Sequence, residues 1–182
     1  MNPPATQYDA ADRALTTLLD AAPDTDWTSP SPCQGWTAAD VVGHLIKTQR
    51  DFLSTHGVDV GEAPDVAADP AAAWREHAAR ARAALSDDAV ATRGFDGFFG
   101  PTTVGAALEQ FYVWDMLVHR WDVARAFGAD ASLTDDELDR IEAGAASFGP
   151  ALYMDGICSP AVDVPAEAAR HVRVLARLGR AA

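Results

Sequence analysis

The stretch "FYVWDMLVHRWDVARAFG", residues 111–128, places an acid and an imidazole inside a run of aromatic and aliphatic side chains. Apolar residues recur there at helical spacing, and Gly128 is typical of the residue that follows a helix. Asp115 and His119 are four positions apart, so they share one helix face, with β-carbons about 5 to 6 Å apart. The pattern predicts a long helix over residues 102–127 in which both side chains are at least half-buried.

A buried Asp115 needs a compensating partner. An ionised carboxylate in apolar surroundings is costly unless a cation or hydrogen-bond donors compensate it. A metal ion bound by Asp115 and His119 is one such partner. The alternative is an Asp–His hydrogen bond, or an ion pair of Asp115 with Arg120 or Arg125. The D-x-x-x-H pattern alone favours this alternative.

His44 shifts the balance towards a metal ion. A capping box opens a second helix, predicted over residues 37–54, and His44 lies about 10 Å from its start. His119 lies about 12 Å from the end of its own helix, so antiparallel packing would bring His44, Asp115 and His119 to one level. Two imidazoles and one carboxylate leave coordination positions for water or substrate, as catalytic metal sites do. Zinc is the expected metal, and nickel and iron fit the same ligands.

The remaining apolar patterns also have helical spacing. No segment shows sustained alternation of apolar and polar residues, so we predict an all-α fold in one domain spanning residues 1–182. Four long helices with loops long enough for a crossover indicate a four-helix bundle with shorter helices appended. The further predicted helices cover residues 5–22, 70–85, 134–149 and 166–178.

The charge balance limits the partners. The 182 residues include 27 acidic and 14 basic side chains, a net charge of −13, and this negative field repels phosphate backbones and anionic membranes. The sequence begins with no apolar leader and contains no run of about eighteen apolar residues. We therefore expect a cytoplasmic protein that binds neither nucleic acid nor membrane. A cluster of arginines is expected to complement the carbonyl end of the last helix: Arg170, Arg173, Arg177 and Arg180.

Cysteines and the other histidines give weaker signals. Cys33 and Cys158 form no CxxC pair, which argues against a disulfide framework and favours packed thiols. His56, His77 and His171 are expected at the surface, because they lie at a helix end, beside charged residues and in the basic C-terminal part, respectively.

Two segments together carry a resemblance: "SPCQGWTAADVVGHL", residues 31–45, and "DMLVHRWDVARAFG", residues 115–128. They resemble the DinB-like metalloproteins and, within them, the actinobacterial relatives of mycothiol-dependent maleylpyruvate isomerase. The resemblance covers most of the chain and implies a DinB-like four-helix bundle with up-down-down-up connectivity, in which helices two and four are antiparallel. It also implies that His44, Asp115 and His119 hold a divalent metal.

The resemblance further implies a kind of chemistry. Better-known members of this family are thiol transferases that use mycothiol or bacillithiol, whereas many others bind metal and have no assigned reaction. Two departures are evident. The isomerase pattern has Glu where this chain has Asp115, and it includes a second, C-terminal domain for which this chain is too short. That particular isomerisation is therefore not expected.

The expected function is a metal-dependent thiol-transfer or isomerisation reaction, with a small mycothiol-type thiol and an electrophile as partners. A homodimer is compatible with this function. Two alternatives stay open: hydrolysis of an amide or ester by water that the same ion activates, and a non-enzymatic metal-binding interaction protein. Asp40 or Asp122 is a candidate for orienting a ligand imidazole. Three loop aromatics are candidates either for a dry wall beside the ion or for anchors to the bundle: Phe95, Phe98 and Phe99.

Overall fold

The computed structural model describes residues 1–21 and 26–181, and most of them are helical, as predicted. The first helix packs against the third and against a long helix, and the second packs against the same two, so apolar side chains from all four meet in one core. The predicted end of the first helix at residue 22 lies outside the described residues. The four units are α1 (Pro3–Asp20), α2 (Ala38–Thr55), α3 (Pro70–Leu85) and a long helix over residues 104–126.

The long helix has an irregular middle. It consists of α5 (Val104–Ala107) and α6 (Trp114–Ala126) with a π-helical segment between them. A π-helical turn widens the helix and rotates the residues that follow it; such turns are frequent at functional sites. This segment ends two residues before Asp115, so it sets the direction of the α6 face that carries Asp115 and His119. The π-helical segment covers Leu108–Val113.

Capping boxes fix the start of two helices, as predicted. At the start of α2, Thr37 accepts a hydrogen bond from the Asp40 N–H, and the Asp40 carboxylate accepts one from the Thr37 N–H. Thr134 and Glu137 form the same arrangement before α7 (Asp135–Phe148). The Asp40 carboxylate is thereby held at the helix end, where it serves the cap.

A short β-hairpin departs from the predicted all-α fold. Strands β1 (Gly94–Gly97) and β2 (Gly100–Thr103) pair antiparallel, with Phe95 opposite Thr102. Two four-residue strands that contain three glycines are too short to show a sustained alternation of apolar and polar residues, so their pattern indicated a loop. A four-residue helix, α4 (Asp88–Ala91), precedes the hairpin.

The C-terminal part packs back onto the long helices. A 3₁₀ turn (Gly149–Tyr153) follows α7, and an irregular segment leads to α8 (Arg170–Arg177). Helix α8 is shorter than the predicted 166–178, because the chain makes a turn there in which the Ala168 N–H donates to the Pro165 carbonyl. Across residues 1–21 and 26–181, no helix is both long and apolar enough to cross a membrane.

One predicted surface position is wrong. His77 is fully buried in α3, and its Nε2 lies 3.0 Å from the side-chain oxygen of Gln49. Burial lowers the pKa of His77 to about 4, with a smaller contribution from two nearby arginines. The charged neighbours of His77 suggested a solvent-facing position, but His77 lies three residues after the buried Trp74 and so shares its apolar face. His171 is exposed, as predicted, and His56 is half-buried.

Candidate metal centre

Helices α2 and α6 bring the three predicted ligands together. His44 Nε2 lies 3.1 Å from one oxygen of Asp115, and His119 Nε2 lies 3.2 Å from the other oxygen. One ligand atom from each of the three side chains lies within 4.8 Å of the other two. The positions therefore suit a shared ion, and their assignment as metal ligands stays a prediction.

The trio is accessible from one side. The His44 and Asp115 side chains are 23% and 21% exposed, whereas His119 is 6% exposed. Burial opposes ionisation of Asp115, but the two imidazoles outweigh it and hold the pKa of this carboxyl well below its usual range. Asp115 is thus an ionised donor between two imidazole nitrogens, a donor set that zinc accepts.

Asp122 fixes the orientation of the His119 ring. The Asp122 carboxylate is fully buried and lies 2.8 Å from His119 Nδ1. Burial alone would raise the pKa of Asp122, but the hydrogen bond from His119 and the charge of Arg180 lower it to about 2. An ionised Asp122 accepts the Nδ1 proton, so the Nε2 lone pair of a neutral His119 points at the candidate metal position. Of the two acids predicted for this task, Asp122 contacts a ligand imidazole, and Asp40 serves a helix cap.

Arg180 supplies the cation for Asp122. Its Nε and Nη2 donate to the two carboxylate oxygens of Asp122 at 3.2 and 2.8 Å, and its Nη1 donates to the Leu178 carbonyl at 2.8 Å. Only 7% of Arg180 is exposed. Burial favours the neutral form of Arg180, but the Asp122 charge prevails and raises the pKa of the guanidinium. Arg180 thus contacts a carbonyl at the end of the last helix, as predicted, and its pairing with the buried Asp122 was not predicted.

Cys33 contacts the same network. Its Sγ lies 3.2 Å from Asp122 Oδ2, 3.9 Å from His119 Nδ1 and 3.4 Å from Arg180 Nη2. Cys33, His119 and Asp122 form a second group whose atoms are close enough to share an ion. Because the Arg180 guanidinium already provides a positive charge to Cys33 and Asp122, we keep the group with His44 and Asp115 as the candidate metal centre.

The charges of the site suit a divalent ion. Imidazoles that bind a metal ion do so in their neutral form, and the two negative carboxylates of Asp115 and Asp122 and the positive Arg180 would then sum to one negative charge. A divalent ion converts this sum to one positive charge, which one anionic ligand from solution would neutralise. Without an ion, burial opposes protonation of His119, but the charge of Asp115 and the hydrogen bonds to Asp115 and Asp122 prevail and raise the pKa of His119 well above its usual value. A proton on His119 then offsets the negative charge, and a metal ion would displace that proton.

A cleft of about 740 Å³ opens onto the candidate ligands. The Trp36 ring forms part of its wall, 4.8 Å from the His44 ring and 6.0 Å from the His119 ring between centroids. Residues 153–160 and 178–180 also line the cleft. Further aromatic residues that line the cleft are Phe111, Tyr112, Trp114 and Phe148.

The loop aromatics do not form the predicted wall. Phe95 packs against Phe52 and His56, which is the anchoring alternative. Phe98 and Phe99, at the tip of the hairpin, are 79% and 50% exposed. The Phe99 ring stacks on Phe111 at 5.9 Å and lies edge-on to Phe148 at 6.1 Å, so Phe99 is also an anchor. In the described part of the chain, the aromatic residues that line the cleft come from residues 36, 111–114, 148 and 153.

Sequence reasoning did not assign Trp36, Cys33 or Arg180 to the site. Trp36 and Cys33 belong to the "CQGW" turn that precedes α2, and their proximity in sequence to His44 was a signal. Arg180 lies 58 residues after Asp122. No spacing rule links such distant positions, so the one available signal was that a buried Asp122 needs a cation.

The chain matches one protein family and is similar to two known proteins. Residues 8–124 match the family described as the mycothiol maleylpyruvate isomerase N-terminal domain. Two uncharacterized proteins of Mycobacterium tuberculosis, from strains H37Rv and CDC 1551, are each 33% identical over 134 aligned positions, covering 63% of this chain and 52% of each relative. The chain therefore spans about half the length of these relatives. No solved structure matches the chain.

Proposed function

Because this chain belongs to the family of the mycothiol maleylpyruvate isomerase N-terminal domain, we propose that it is a divalent-metal protein that transfers or isomerises a substrate with a small thiol of the mycothiol type. The observation that supports the proposal best is the convergence of His44, Asp115 and His119 at the cleft. The proposed partners are the thiol and an electrophile, and the proposed compartment is the cytoplasm, where such thiols are kept reduced.

The proposal extends to the arrangement of the helices. We propose that α1, α2, α3 and the long helix form the family's four-helix bundle with up-down-down-up connectivity. The mutual packing of these four units around one core supports this arrangement. In such a bundle, α2 and α6 would be antiparallel, which agrees with the common level of the three candidate ligands.

Each part of the site has a role in this proposal. A zinc ion held by His44, Asp115 and His119 would stabilise the thiolate form of the small thiol at neutral pH. Asp122 accepts the Nδ1 proton of His119 and keeps its other nitrogen directed at the ligand position. The Trp36 ring, whose centroid lies 4.8 Å from the His44 ring and 6.0 Å from the His119 ring, would shield one side of the centre from water.

Metal content tests the ligand assignment. Protein purified without a metal-affinity tag should contain about one divalent ion per chain by elemental analysis. His44→Ala and His119→Ala should each lose most of that ion, because two of three ligands bind weakly. The exposed His171 provides the matched control, and His171→Ala should retain the ion. Full metal content in either ligand variant would refute the assignment.

Cobalt substitution tests the thiol. Direct ligation of sulfur to Co²⁺ gives a sulfur-to-metal charge-transfer band, so addition of mycothiol should produce one. Cys33 and Cys158 are first replaced by Ser, so that the protein's own thiols cannot give the signal. The band should weaken in Asp115→Asn, whose neutral amide is a poorer ligand. Hydrolysis of an ester or amide with no thiol-dependent band would replace thiol transfer with water activation, and absence of both would favour a binding protein.

A further inference from the structure

We propose that the electrophile is an uncharged molecule with a flat apolar group, such as an aromatic ring, and that a carboxylate-bearing compound is a poor substrate. This inference rests on the proposed function, since it names the substrate class of the same cleft. Three properties of the cleft carry it: its aromatic lining, the lack of an available cation, and the position of its negative charges.

The cleft offers flat apolar surfaces close to the candidate ligands. Phe111 and Phe148 lie 5.3 Å apart between ring centroids, and Phe148 is also 5.3 Å from the Trp114 ring. Trp36 lies against both candidate imidazoles. Offset or edge contacts with such rings favour an aromatic or similarly flat guest. The volume of about 740 Å³ falls within the ~300–1,000 Å³ usual for small-molecule sites.

Among the described residues that line the cleft, no cation is free to receive a carboxylate. Both nitrogens of His119 already face a carboxylate, Asp115 at 3.2 Å and Asp122 at 2.8 Å. His44 Nε2 likewise faces Asp115 at 3.1 Å.

Arg180 is the one lysine or arginine in the described part of the cleft lining. Its Nε, Nη1 and Nη2 already donate to Asp122, to the Leu178 carbonyl and to Cys33, and it is 7% exposed. A carboxylate on the substrate could replace none of these partners without leaving Asp122 buried and uncompensated. Anion recognition normally uses an accessible guanidinium or ammonium group.

The remaining charges of the cleft repel anions. Asp155 lines the cleft on the 153–160 segment and is exposed, so it is an additional negative charge beyond Asp115. Met154 and Ile157 on the same segment present apolar side chains, 52% and 37% exposed. This side of the cleft therefore contacts the guest with apolar groups and one negative charge, which disfavours a carboxylate.

A matched pair of non-reactive ligands tests the cleft without requiring activity. Benzyl alcohol and 4-(hydroxymethyl)benzoate share the ring and differ by one carboxylate. Binding to metal-free protein is measured by quenching of tryptophan fluorescence, so that the carboxylate has no ion to bind. We expect benzyl alcohol to bind at least about fivefold more tightly. Equal or tighter binding of the carboxylate, or binding of neither ligand, would overturn the inference.

Two lysine substitutions separate a local effect from the net charge of the protein. Met154→Lys places a cation at the cleft and should narrow the preference for the neutral ligand to less than about twofold. Val162→Lys adds the same charge at an exposed position outside the cleft lining and should leave the preference unchanged. An effect of the same size in both variants would show that the cleft does not select the charge of its guest.

Turnover then tests the substrate class in zinc-loaded protein with a small thiol. The matched electrophiles are benzyl chloride and 4-(chloromethyl)benzoate. In each, the thiolate sulfur bonds to the benzylic carbon, the carbon–chlorine bond breaks, chloride leaves and the thiol proton passes to solvent. We expect a higher kcat/KM for benzyl chloride, relative to the uncatalysed rates, and a smaller difference in Met154→Lys. If the cleft prefers benzyl alcohol but the protein turns over neither electrophile, the proposed function is contradicted. The inferred selectivity of the cleft for a neutral ligand is supported in that case.

Discussion

Replacement of Arg180 by Met should weaken metal binding and stability together, because Arg180 compensates the fully buried carboxylate that orients His119. The variant loses two charge-assisted hydrogen bonds to Asp122, at 3.2 and 2.8 Å, and keeps the volume of the side chain. Removal of one partner of a buried ion pair costs roughly 3–5 kcal/mol, since the other charge remains buried. Loss of a partner that orients a ligand imidazole typically lowers metal affinity about 10–100-fold.

Two measurements and two further variants separate these effects. Urea denaturation gives the free energy of unfolding, and competition with a chromophoric chelator gives the zinc affinity. Arg177→Met removes an exposed cation from the same part of the chain and should change neither value appreciably. The double variant Arg180→Met/Asp122→Asn removes both charges, so it should recover much of the stability but little of the zinc affinity. Zinc affinity in Arg180→Met within twofold of that of the unmodified protein would refute the role of Arg180.

Three further predictions concern the scaffold. Chelation of the metal should leave the helical circular dichroism intact, because the core is built from apolar side chains on four helices; loss of the signal would show that the ion is structural. The pKa of His77 is about 4 when folded and about 6.5 when unfolded, so the unfolded state takes up a proton first as the pH falls. The free energy of unfolding should therefore decrease by up to about 3 kcal/mol as the pH falls from 6.5 to 4. In denaturation curves measured at both pH values, His77→Gln should remove this decrease and His171→Gln should retain it. A β-carbon at Gly144 would overlap the Trp114 indole, so Gly144→Ala should lower the free energy of unfolding by about 1–3 kcal/mol. A β-carbon at Gly43 would have its nearest neighbour 3.8 Å away, so Gly43→Ala should not lower the free energy of unfolding. Equal denaturation midpoints for the two variants would contradict this prediction.

Local signals explain why much of the fold could be predicted from the sequence. The capping box at Thr37 and Asp40 uses residues three positions apart, and the helical face shared by Asp115 and His119 uses residues four apart. Both depend on backbone geometry within one helix, which a short stretch of sequence specifies. The proximity of His44 to this face depended in addition on how two helices pack. Equal depth along the helices predicted it only together with the assumption that the two helices run antiparallel.

The features that the sequence did not predict have non-local or very short signals. The partner of Asp122 is Arg180, which packing of the C-terminal part brings to α6, and no spacing rule links the two. The hairpin has only four residues in each strand, too few for a pattern with a period of two. His77 did have a signal, namely its spacing of three from Trp74, but its charged sequence neighbours concealed it.

The candidate centre combines two parts of the chain that differ in what they contribute. Residues 8–124, which match the family, contain the three candidate ligands and Asp122. The cation that holds Asp122 and one side of the cleft come from residues 148–180, outside that match. We therefore expect the family portion to supply the metal ligands and most of the aromatic lining, and the C-terminal part to supply the cation that supports Asp122 and the exposed side chains of residues 154–157 on which the proposed charge selection depends. The shorter carboxylate at position 115 is compatible with metal binding. The isomerase pattern has Glu there, yet the Asp115 oxygens lie 3.1 Å from His44 Nε2 and 3.2 Å from His119 Nε2. The shorter side chain therefore does not by itself prevent a shared ion.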